Sequence, residues 1–484
     1  MTDLKPLAST PRTYFAGLLV LGIAFGMMFG AACAPAQAQP SDVLITGGWL
    51  FDSSAETVVR NPGVLVRAGR IQRMGADSST IDTATTRVVP LADDEYVLPG
   101  LIDMHAHYAM DLFGAGRVEE RAAYPLLFLA NGVTSTFTAG EMEPDAMRDL
   151  RFAIERGDAI GPRIYNAGPY FGTARPGWNP DMPVEQLRDE IDDWAEQGVR
   201  GIKVKRIGPR LLKPLIERAH QHGLTVTGHL GSGYGNTVNP RDAITMGIDR
   251  IEHFMGGDAL PDSVSAYDSL VSAEPGTPAF NRIAQHFIDH QVHFDATITA
   301  YGYFGEQEPA VFEDFADAAQ YLTPHMRQII AERAPRQPLP RFETIYHLKH
   351  RRLKAFYDAG GGDLITLGTD HPSWGQFFSP FGVHRELHAF VRAGIPEGAA
   401  LTMATLNGAH ALGDGDHLGS IAPGKWADLV VIEGNPLADI RNTRNVQWTM
   451  KAGQIYDAAT LREAAKGRIG PASERAEDRW RPQQ

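Results

Sequence analysis

Four histidines and one aspartate end short apolar runs of the sequence, and their side chains are suited to metal binding. The first run ends in His105 and His107, which are two residues apart. Side chains alternate between the two faces of a strand, so both imidazoles share a face and can reach one metal ion. Later apolar runs end in His229, His253 and Asp370. Imidazole nitrogens combined with a carboxylate oxygen are typical ligands of transition metals.

The stretch GIKVKRIG, residues 201–208, adds two lysines to this set. Lys203 and Lys205 are also two residues apart, so they share a face of the strand that the pattern predicts. A buried lysine is unfavourable without a partner, which indicates a function for one of the two. We expect Lys203 to lie deeper, level with His229 and His253. Lys205 is expected nearer solvent, where it meets substrate or a loop carboxylate.

Eight short apolar segments, separated by helical patterns, would position these side chains. Eight such β/α units predict a parallel (β/α)₈ TIM barrel, whose catalytic groups lie at the C-terminal ends of its strands. The longest spacing separates the last two segments and predicts an inserted loop over the barrel mouth. The segments are GLIDMHAH (100–107), GVTSTFTAG (132–140), PRIYNAG (162–168), GIKVK (201–205), LTVTGHL (224–230), DRIEHF (249–254), VHFDATIT (292–299) and DLITLGTD (363–370).

The two ends of the chain have a different, alternating β pattern. Residues 42–98 and 417–460 are predicted to form one small β-sandwich domain from both chain ends. The barrel domain would then comprise residues 99–416, and a C-terminal tail would follow at 461–484. The fold class expected from the sequence is therefore α/β, a TIM barrel with a small β-sandwich.

The N-terminus has the features of an export signal. Basic residues precede an apolar run at 14–32, and Ala-Gln-Ala follows it, which predicts a signal peptide, 1–38, cut after Ala38. The apolar run is also long enough for a membrane anchor, and Cys33, the single cysteine, lies in a sequence resembling a lipoprotein processing site. We expect an exported protein, periplasmic or extracellular. It contacts a membrane only if this segment is retained or Cys33 is lipidated.

Charge narrows the choice of partners. The formal net charge is −13 and there is no long basic run, which argues against nucleic acid or an anionic membrane as the main partner. The expected partner is a small-molecule substrate. Assembly into a homo-oligomer is left open.

The sequence resembles the amidohydrolase superfamily. The resemblance is carried by LPGLIDMHAH, the IK, GH, IEH and GTD that end later segments, and the closing LGSIAPGKWADLVVIEGNPL. It spans roughly residues 42–460 and implies a barrel, a small β-sandwich and metal-assisted hydrolysis. Because its fourth segment contains a lysine, the sequence resembles the binuclear subgroup of this superfamily, which has prolidase-like and imidazolonepropionase-like members. In that subgroup the lysine, here Lys203, carries a carbamate derived from CO₂.

The resemblance also implies which residues hold each metal ion and which residue transfers the proton. Two divalent metal ions, expected to be Zn²⁺, share the carbamate and a bridging hydroxide. His105, His107 and Asp370 hold one ion, and His229 and His253 hold the other. Asp370 accepts the proton of the attacking water and passes it to the leaving amine.

Three further residues are candidates for substrate contacts. Tyr234 follows a ligand segment and is able to donate to a carbonyl oxygen. His371 follows Asp370 directly. Arg175, in the loop FGTARPGWN, is able to pair with a substrate carboxylate, or it is a surface turn residue.

The expected reaction is hydrolysis of an amide (C–N) bond in a dipeptide or an N-acyl amino acid. A lactone, an ester or a cyclic amide would use the same chemistry and stays an alternative. Deamination is less favoured, because the family's deaminases lack the lysine and often carry a glutamate soon after the histidine of the fifth segment. Here GHLGSGYGNT has no carboxylate. A non-enzymatic binding relative is also disfavoured, because every expected ligand is present.

Overall fold

The structure is a computed structural model of the chain, and its described residues all lie within one compact unit, Gln39–Gln484. The predicted signal peptide, 1–38, and Tyr234 lie outside the described residues. The described ranges are 42–231, 237–257, 273–305, 319–333, 340–371 and 382–482.

The strands and helices alternate through the middle of the chain. In chain order the strands are β1 (Asp42–Asp52), β2 (Thr57–Arg60), β3 (Val64–Arg67), β4 (Arg70–Met74), β5 (Thr86–Pro99), β6 (Leu101–Ala106), β7 (Ala109–Met110), β8 (Val118–Glu119), β9 (Val133–Thr138), β10 (Arg163–Tyr165), β11 (Tyr170–Phe171), β12 (Gly201–Lys205), β13 (Thr225–His229), β14 (Arg250–Glu252), β15 (His293–Asp295), β16 (Ile365–Thr366), β17 (Leu429–Glu433), β18 (Val446–Lys451) and β19 (Gln454–Asp457).

The α-helices are α1 (Tyr124–Ala130), α2 (Pro144–Arg156), α3 (Val184–Glu196), α4 (Pro209–Gln221), α5 (Pro240–Met246), α6 (Pro278–Asp289), α7 (Ile298–Gly305), α8 (Pro324–Ala331), α9 (Pro340–Phe356), α10 (Gly382–Arg392), α11 (Glu397–Met403), α12 (Leu406–Ala411) and α13 (Ala458–Ala465). None of these helices combines the length and the apolar character that crossing a membrane would require.

Strands from both chain ends form a single mixed sheet in the order β19-β18-β17-β5-β1-β3-β4, with β2 on β1. β5 joins the two ends, because it pairs parallel with β1 and antiparallel with β17. The sheet curls until its far edge meets the approach to β17, where Ile71 N donates to Lys425 O at 2.9 Å. The side chains on the inner face form one apolar core that includes Val43, Ile45, Val97, Leu429, Val431 and Met450.

The middle of the chain forms the predicted barrel. Its parallel strands lie in the orders β10-β9-β6 and β11-β12-β13-β14-β15-β16, and β10 and β11 are two parts of the third barrel strand. The last strand closes onto the first: Met104 N donates to Leu367 O at 2.9 Å, and Asp370 N donates to His105 O at 2.8 Å. The predicted fold class, a TIM barrel with a small β domain from both chain ends, is therefore confirmed.

Burial on both faces explains why the strands were visible in the sequence. Every residue of β6 and of β9 is buried; β6 begins with apolar residues, whereas β9 also buries several Thr and Ser side chains. The helices outside the barrel bury one face only, as α4 does with Leu211, Leu215 and Ile216. Polar residues that follow a strand therefore stand at the barrel mouth.

The segment predicted as a C-terminal tail is tied to the inserted region that contains α8. Ile469 is fully buried, and Thr323 Oγ1 donates to Pro471 O at 2.6 Å. Leu322 and Ile469 also form an isolated parallel bridge. Residues beyond 461 thus pack against the barrel domain, and the domain boundaries stay a prediction.

Candidate active site

The five predicted ligands that end strands lie together at the C-terminal ends of the barrel strands. The ring centroids of His105 and His107 are 5.3 Å apart, those of His105 and His253 are 4.9 Å apart, and those of His229 and His253 are 4.3 Å apart. Asp370 Oδ1 lies 3.0 Å from His107 Nε2 and 3.4 Å from His105 Nε2. The barrel therefore brings residues that are far apart in the sequence into one cluster.

Left-handed backbone helps to gather these side chains. His253 has φ 64° and Asp370 has φ 54°, a region that residues other than glycine rarely adopt. Glu252 and His253 are consecutive, so a regular strand would point them to opposite faces. Both reach the cluster, with His253 Nε2 lying 3.9 Å from Glu252 Oε2. Such strain is typical of functional sites, where the surrounding structure holds it in place.

Lys203 is buried and forms an ion pair and hydrogen bond with Glu252. It lies deeper than the half-buried Lys205, as the sequence suggested. The register nevertheless differs from the expectation, because Lys205 lies opposite His229 and Lys203 lies opposite Thr227. The amine of Lys203 nevertheless reaches the cluster through its contact with Glu252.

Sequence reasoning missed two carboxylates in the cluster, Glu252 and Asp295. Glu252 Oε1 lies 3.8 Å from His105 Nδ1, and Asp295 Oδ1 lies 3.2 Å from the same nitrogen. Each is an acidic residue that ends a short barrel strand, and that position was the available signal. Potential ligand atoms lie within 4.8 Å of one another in three overlapping groups: His105, His253 and Asp370; His229, Glu252 and His253; and His105, Glu252 and Asp295.

The imidazoles are neutral and therefore able to bind a cation through a lone pair. Burial lowers the pKa of His107 to about 4, against the effect of its hydrogen bond with Asp370. Burial also lowers the pKa values of the other three histidines well below the usual range. His253 Nδ1 lies 2.7 Å from Thr297 Oγ1, a contact that fixes the ring orientation. This donor set fits a metal centre.

The acidic side chains differ in how burial affects them. Burial and the nearby Glu252 raise the pKa of Asp295 well above its usual value. Burial also acts to raise the pKa of Asp370, but the hydrogen bond and charge of His107 and the charges of Lys205 and Lys203 lower it overall. Asp370 is therefore ionised at neutral pH, as a ligand and proton acceptor must be.

The structure draws His371 into a buried network. His371 Nε2 lies 3.1 Å from Thr299 Oγ1, whose hydroxyl donates to Glu386 at 2.7 Å. Burial and Arg385 lower the pKa of His371 to about 3. The ring thus connects the end of the eighth strand to α7 and α10, and a contact between His371 and substrate stays a prediction.

Arg175 is the other candidate for a substrate contact, with a surface turn residue as the alternative. Its guanidinium group forms a bidentate ion pair with Glu190 of α3. It lies 4.9 Å from the ring centroid of Trp178 and 5.4 Å from that of Phe171. These contacts occupy the cation outside the cluster, so its role is to hold its own loop against α3.

Replacing Arg175 by methionine should leave kcat/KM within about twofold and lower the free energy of unfolding by about 1 kcal/mol, because a partly exposed bidentate pair contributes modestly. Urea unfolding and steady-state kinetics measure both effects. Glu190→Gln is the matched control and should destabilise to a similar extent. A large rise in KM in Arg175→Met alone would restore the substrate role.

Glu141 follows the second barrel strand, and its contribution to the stability of the fold should depend on pH. It accepts hydrogen bonds from Thr138 Oγ1 and Asn166 Nδ2, both at 2.6 Å, and burial raises its pKa from 4.5 to about 8. The unfolded chain releases this proton at lower pH than the folded chain does. The stability from Glu141 is therefore full below about pH 4.5 and is lost as pH rises to about 8.

In Glu141→Gln that dependence should disappear. Between about pH 4.5 and pH 8, we expect the free energy of unfolding of the wild type to fall by up to about 1.4 kcal/mol more per pH unit than that of the variant. Urea unfolding at several pH values tests this, with the exposed Glu155→Gln as the control that keeps the wild-type slope. Equal slopes in wild type and Glu141→Gln would show that Glu141 is ionised in the folded protein.

Comparison with known proteins identifies the family. Residues 96–456 match the model of the amidohydrolase family. The chain belongs to this family. The predicted resemblance is thereby confirmed, together with the expectation that the chain is an enzyme of the amidohydrolase class.

Two curated relatives of this amidohydrolase are deaminases. It is 37% identical to 5-methylthioadenosine/S-adenosylhomocysteine deaminase of Teredinibacter turnerae over 90 residues, which are 17% of this chain and 20% of that protein. It is 21% identical to adenine deaminase of Ruegeria sp. over 403 residues, which are 81% of this chain and 54% of that protein. The chain thus spans about half the length, or less, of these relatives.

A solved structure of a Xaa-Pro dipeptidase, with methionine bound in its active site, is similar in fold. The TM-score is 0.64 at 22% identity, and the match covers 86% of this chain and 100% of the dipeptidase. This likeness supports the barrel fold of the amidohydrolase independently of its sequence motifs.

Proposed function

We propose that the protein is a metal-dependent hydrolase that cleaves an amide bond in a dipeptide or an N-acyl amino acid. The observation that carries the proposal is the cluster of four neutral imidazoles, Lys203 and Asp370 at the barrel mouth, in which His229 is half-buried and the others are buried. The similarity to a Xaa-Pro dipeptidase adds support for a peptide substrate.

The cluster would hold two divalent cations, for which zinc is the expected ion because of the nitrogen-rich donor set. His105, His107 and Asp370 would hold one cation, and His229 and His253 would hold the other. When bound, the cations lower the pKa of water to roughly 7 and polarise the scissile carbonyl. Lys203, as a carbamate, would supply the oxygens shared between the two cations.

Asp370 is the acid–base residue of the proposal. Its side chain is 12% exposed, whereas those of Glu252 and Asp295 are fully buried, so Asp370 is the cluster carboxylate best able to meet an attacking water. His107 holds Oδ1 of Asp370, which leaves Oδ2 to accept a proton. Transfer of that proton to the departing nitrogen completes amide cleavage.

Deamination is the second candidate, because both curated relatives are deaminases. Two features favour amide hydrolysis instead: Lys203 lies within the cluster, and no carboxylate follows His229 in GHLGSGYGNT. Hydrolysis of a lactone, an ester or a cyclic amide would need the same groups.

The experiment is a hydrolysis screen of the purified chain, expressed with zinc and bicarbonate. The substrates are dipeptides, N-acyl amino acids, lactones, esters and aminopurines, and the metal content is measured in parallel. We expect amide cleavage and about two metal equivalents per chain, both lost in His105→Ala. Turnover of lactones or esters alone, or ammonia release from aminopurines alone, would overturn the amide assignment.

Export is a separate proposal that rests on the N-terminal sequence. The intact mass and N-terminal sequence of protein recovered from a cell envelope or medium fraction test it. Cleavage after Ala38 supports the signal peptide, and a lipid-modified Cys33 or an uncleaved chain would replace it with a membrane anchor.

A further inference from the structure

We infer that Lys205 and Tyr170, with Arg117 nearby, form an anion subsite that receives the carboxylate of the substrate's leaving group. The inference rests on the proposed amide hydrolysis and adds that the leaving amine is itself an amino acid. It concerns the side of the barrel mouth formed by β11 and β12.

Lys205 is the first component of this subsite. It ends β12 and is half-buried, and its ammonium group lies 5.5 Å from the ring centroid of Tyr170. Among the residues that the structure describes, no carboxylate forms an ion pair with it.

Tyr170 is the second component. Its ring is buried, and its hydroxyl has no hydrogen-bond partner in the described part of the chain. Gly140 makes this position of the ring attainable, because a Cβ there would lie only 2.3 Å from it. A buried hydroxyl without a partner is unfavourable, and a hydrogen bond to a ligand oxygen would satisfy it.

Arg117 adds a second positive charge to the same side of the mouth. Arg117 interacts electrostatically with both Lys205 and Tyr170. Lys205 lies opposite His229 of the metal cluster in the pairing of β12 with β13. The subsite therefore adjoins the proposed reaction centre. Two cations and a hydroxyl donor match the two oxygens of a carboxylate.

The spacing fits an α-carboxylate. Two residues on a strand place Lys205 about 6–7 Å beyond Lys203 along β12. In a dipeptide or N-acyl amino acid the carboxylate carbon lies about 4 Å from the scissile carbonyl carbon, one residue away. A charge-assisted hydrogen bond adds about 3 Å. A substrate held at the subsite would thus present its amide to the cluster.

The kinetic test compares the best amide substrate from the screen with its C-terminal carboxamide. Lys205→Met should raise KM for the acid at least tenfold and leave the carboxamide unaffected, with the metal content unchanged. Tyr170→Phe should give a smaller shift in the same direction, and Lys205→Arg should recover most of the affinity. Lys213→Met, at an exposed position on α4, is the control. Equal effects on acid and carboxamide would overturn the subsite.

A binding test separates this inference from the proposed reaction. Calorimetry on the metal-loaded chain compares L-methionine with L-methioninol, which lacks the carboxylate. Wild type should bind methionine at least tenfold more tightly, and Lys205→Met should lose that preference. Equal binding of both compounds by wild type would reject the subsite, even if amides are cleaved. A retained preference without amide cleavage would reject the proposed reaction alone.

Discussion

Lys203→Ala is expected to reduce metal binding from about two equivalents to one or fewer and to lower activity by about 10³-fold or more. The carbamate of Lys203 is the proposed bridge between the cations, and alanine offers no oxygen in its place. Lys205→Met is the matched control, because it removes a lysine from the same face of β12 that has no proposed role in holding the cations. Metal analysis of the two purified variants decides between them.

The ion pair between Lys203 and Glu252 complicates this experiment, because Lys203→Ala could lose stability as well as metal. A second substitution separates the two effects. In the chain without the carbamate, removing Lys203 leaves a fully buried carboxylate uncompensated, which can destabilise a protein by about 3–5 kcal/mol. The double variant Lys203→Ala/Glu252→Gln removes that charge, so metal loss that persists in a folded double variant is attributable to the bridge. Two bound metals in Lys203→Ala would contradict the assignment.

The carbamate has a direct signature as well. Protein prepared with isotopically labelled bicarbonate should show a carbamate resonance in the carbonyl region of its NMR spectrum, and Lys203→Ala should lack it. Adding a small carboxylic acid such as propionate to Lys203→Ala should restore part of the metal binding, because its carboxylate would supply oxygens in place of those of the carbamate. A labelled resonance that survives in Lys203→Ala would place the carbamate elsewhere.

The barrel and most of the cluster could be predicted because they depend on local patterns. Strands buried on both faces read as apolar runs, and His105 and His107 share a face through simple alternation. The polar residue that ends each run then marks the barrel mouth. None of these steps requires knowledge of which strands are neighbours.

The remaining features depend on information that alternation does not contain. The positive φ of His253 lets it and Glu252 both enter the cluster, whereas alternation assigns one of them outward. The partner of Arg175 lies on α3, and no periodicity links that helix to the loop. The register that sets Lys205 opposite His229 depends on how two strands pair, which one strand alone cannot define.

Asp370→Asn is expected to lower kcat by about 10²–10⁴-fold, the range for loss of a general acid–base group. The amide oxygen of asparagine can still contact a cation, but it cannot accept a proton from water at neutral pH. Metal content near two equivalents, measured on the same preparation, would assign the loss to proton transfer. His105→Ala differs, because it should lose metal and activity together.

Asp103→Asn is the control for removing a buried carboxylate from this part of the barrel. Asp103 Oδ1 accepts hydrogen bonds from the backbone N–H groups of His105 and Thr369 at 3.0 and 3.1 Å, and an asparagine oxygen can accept the same bonds. The variant should therefore change kcat by a few-fold at most. If Asp103→Asn and Asp370→Asn lowered kcat equally, the loss of a buried negative charge would explain both effects. Asp370 would then lose its assignment as the proton carrier. If Asp370→Asn alone lost its metal, Asp370 would be a ligand whose role in proton transfer has no support.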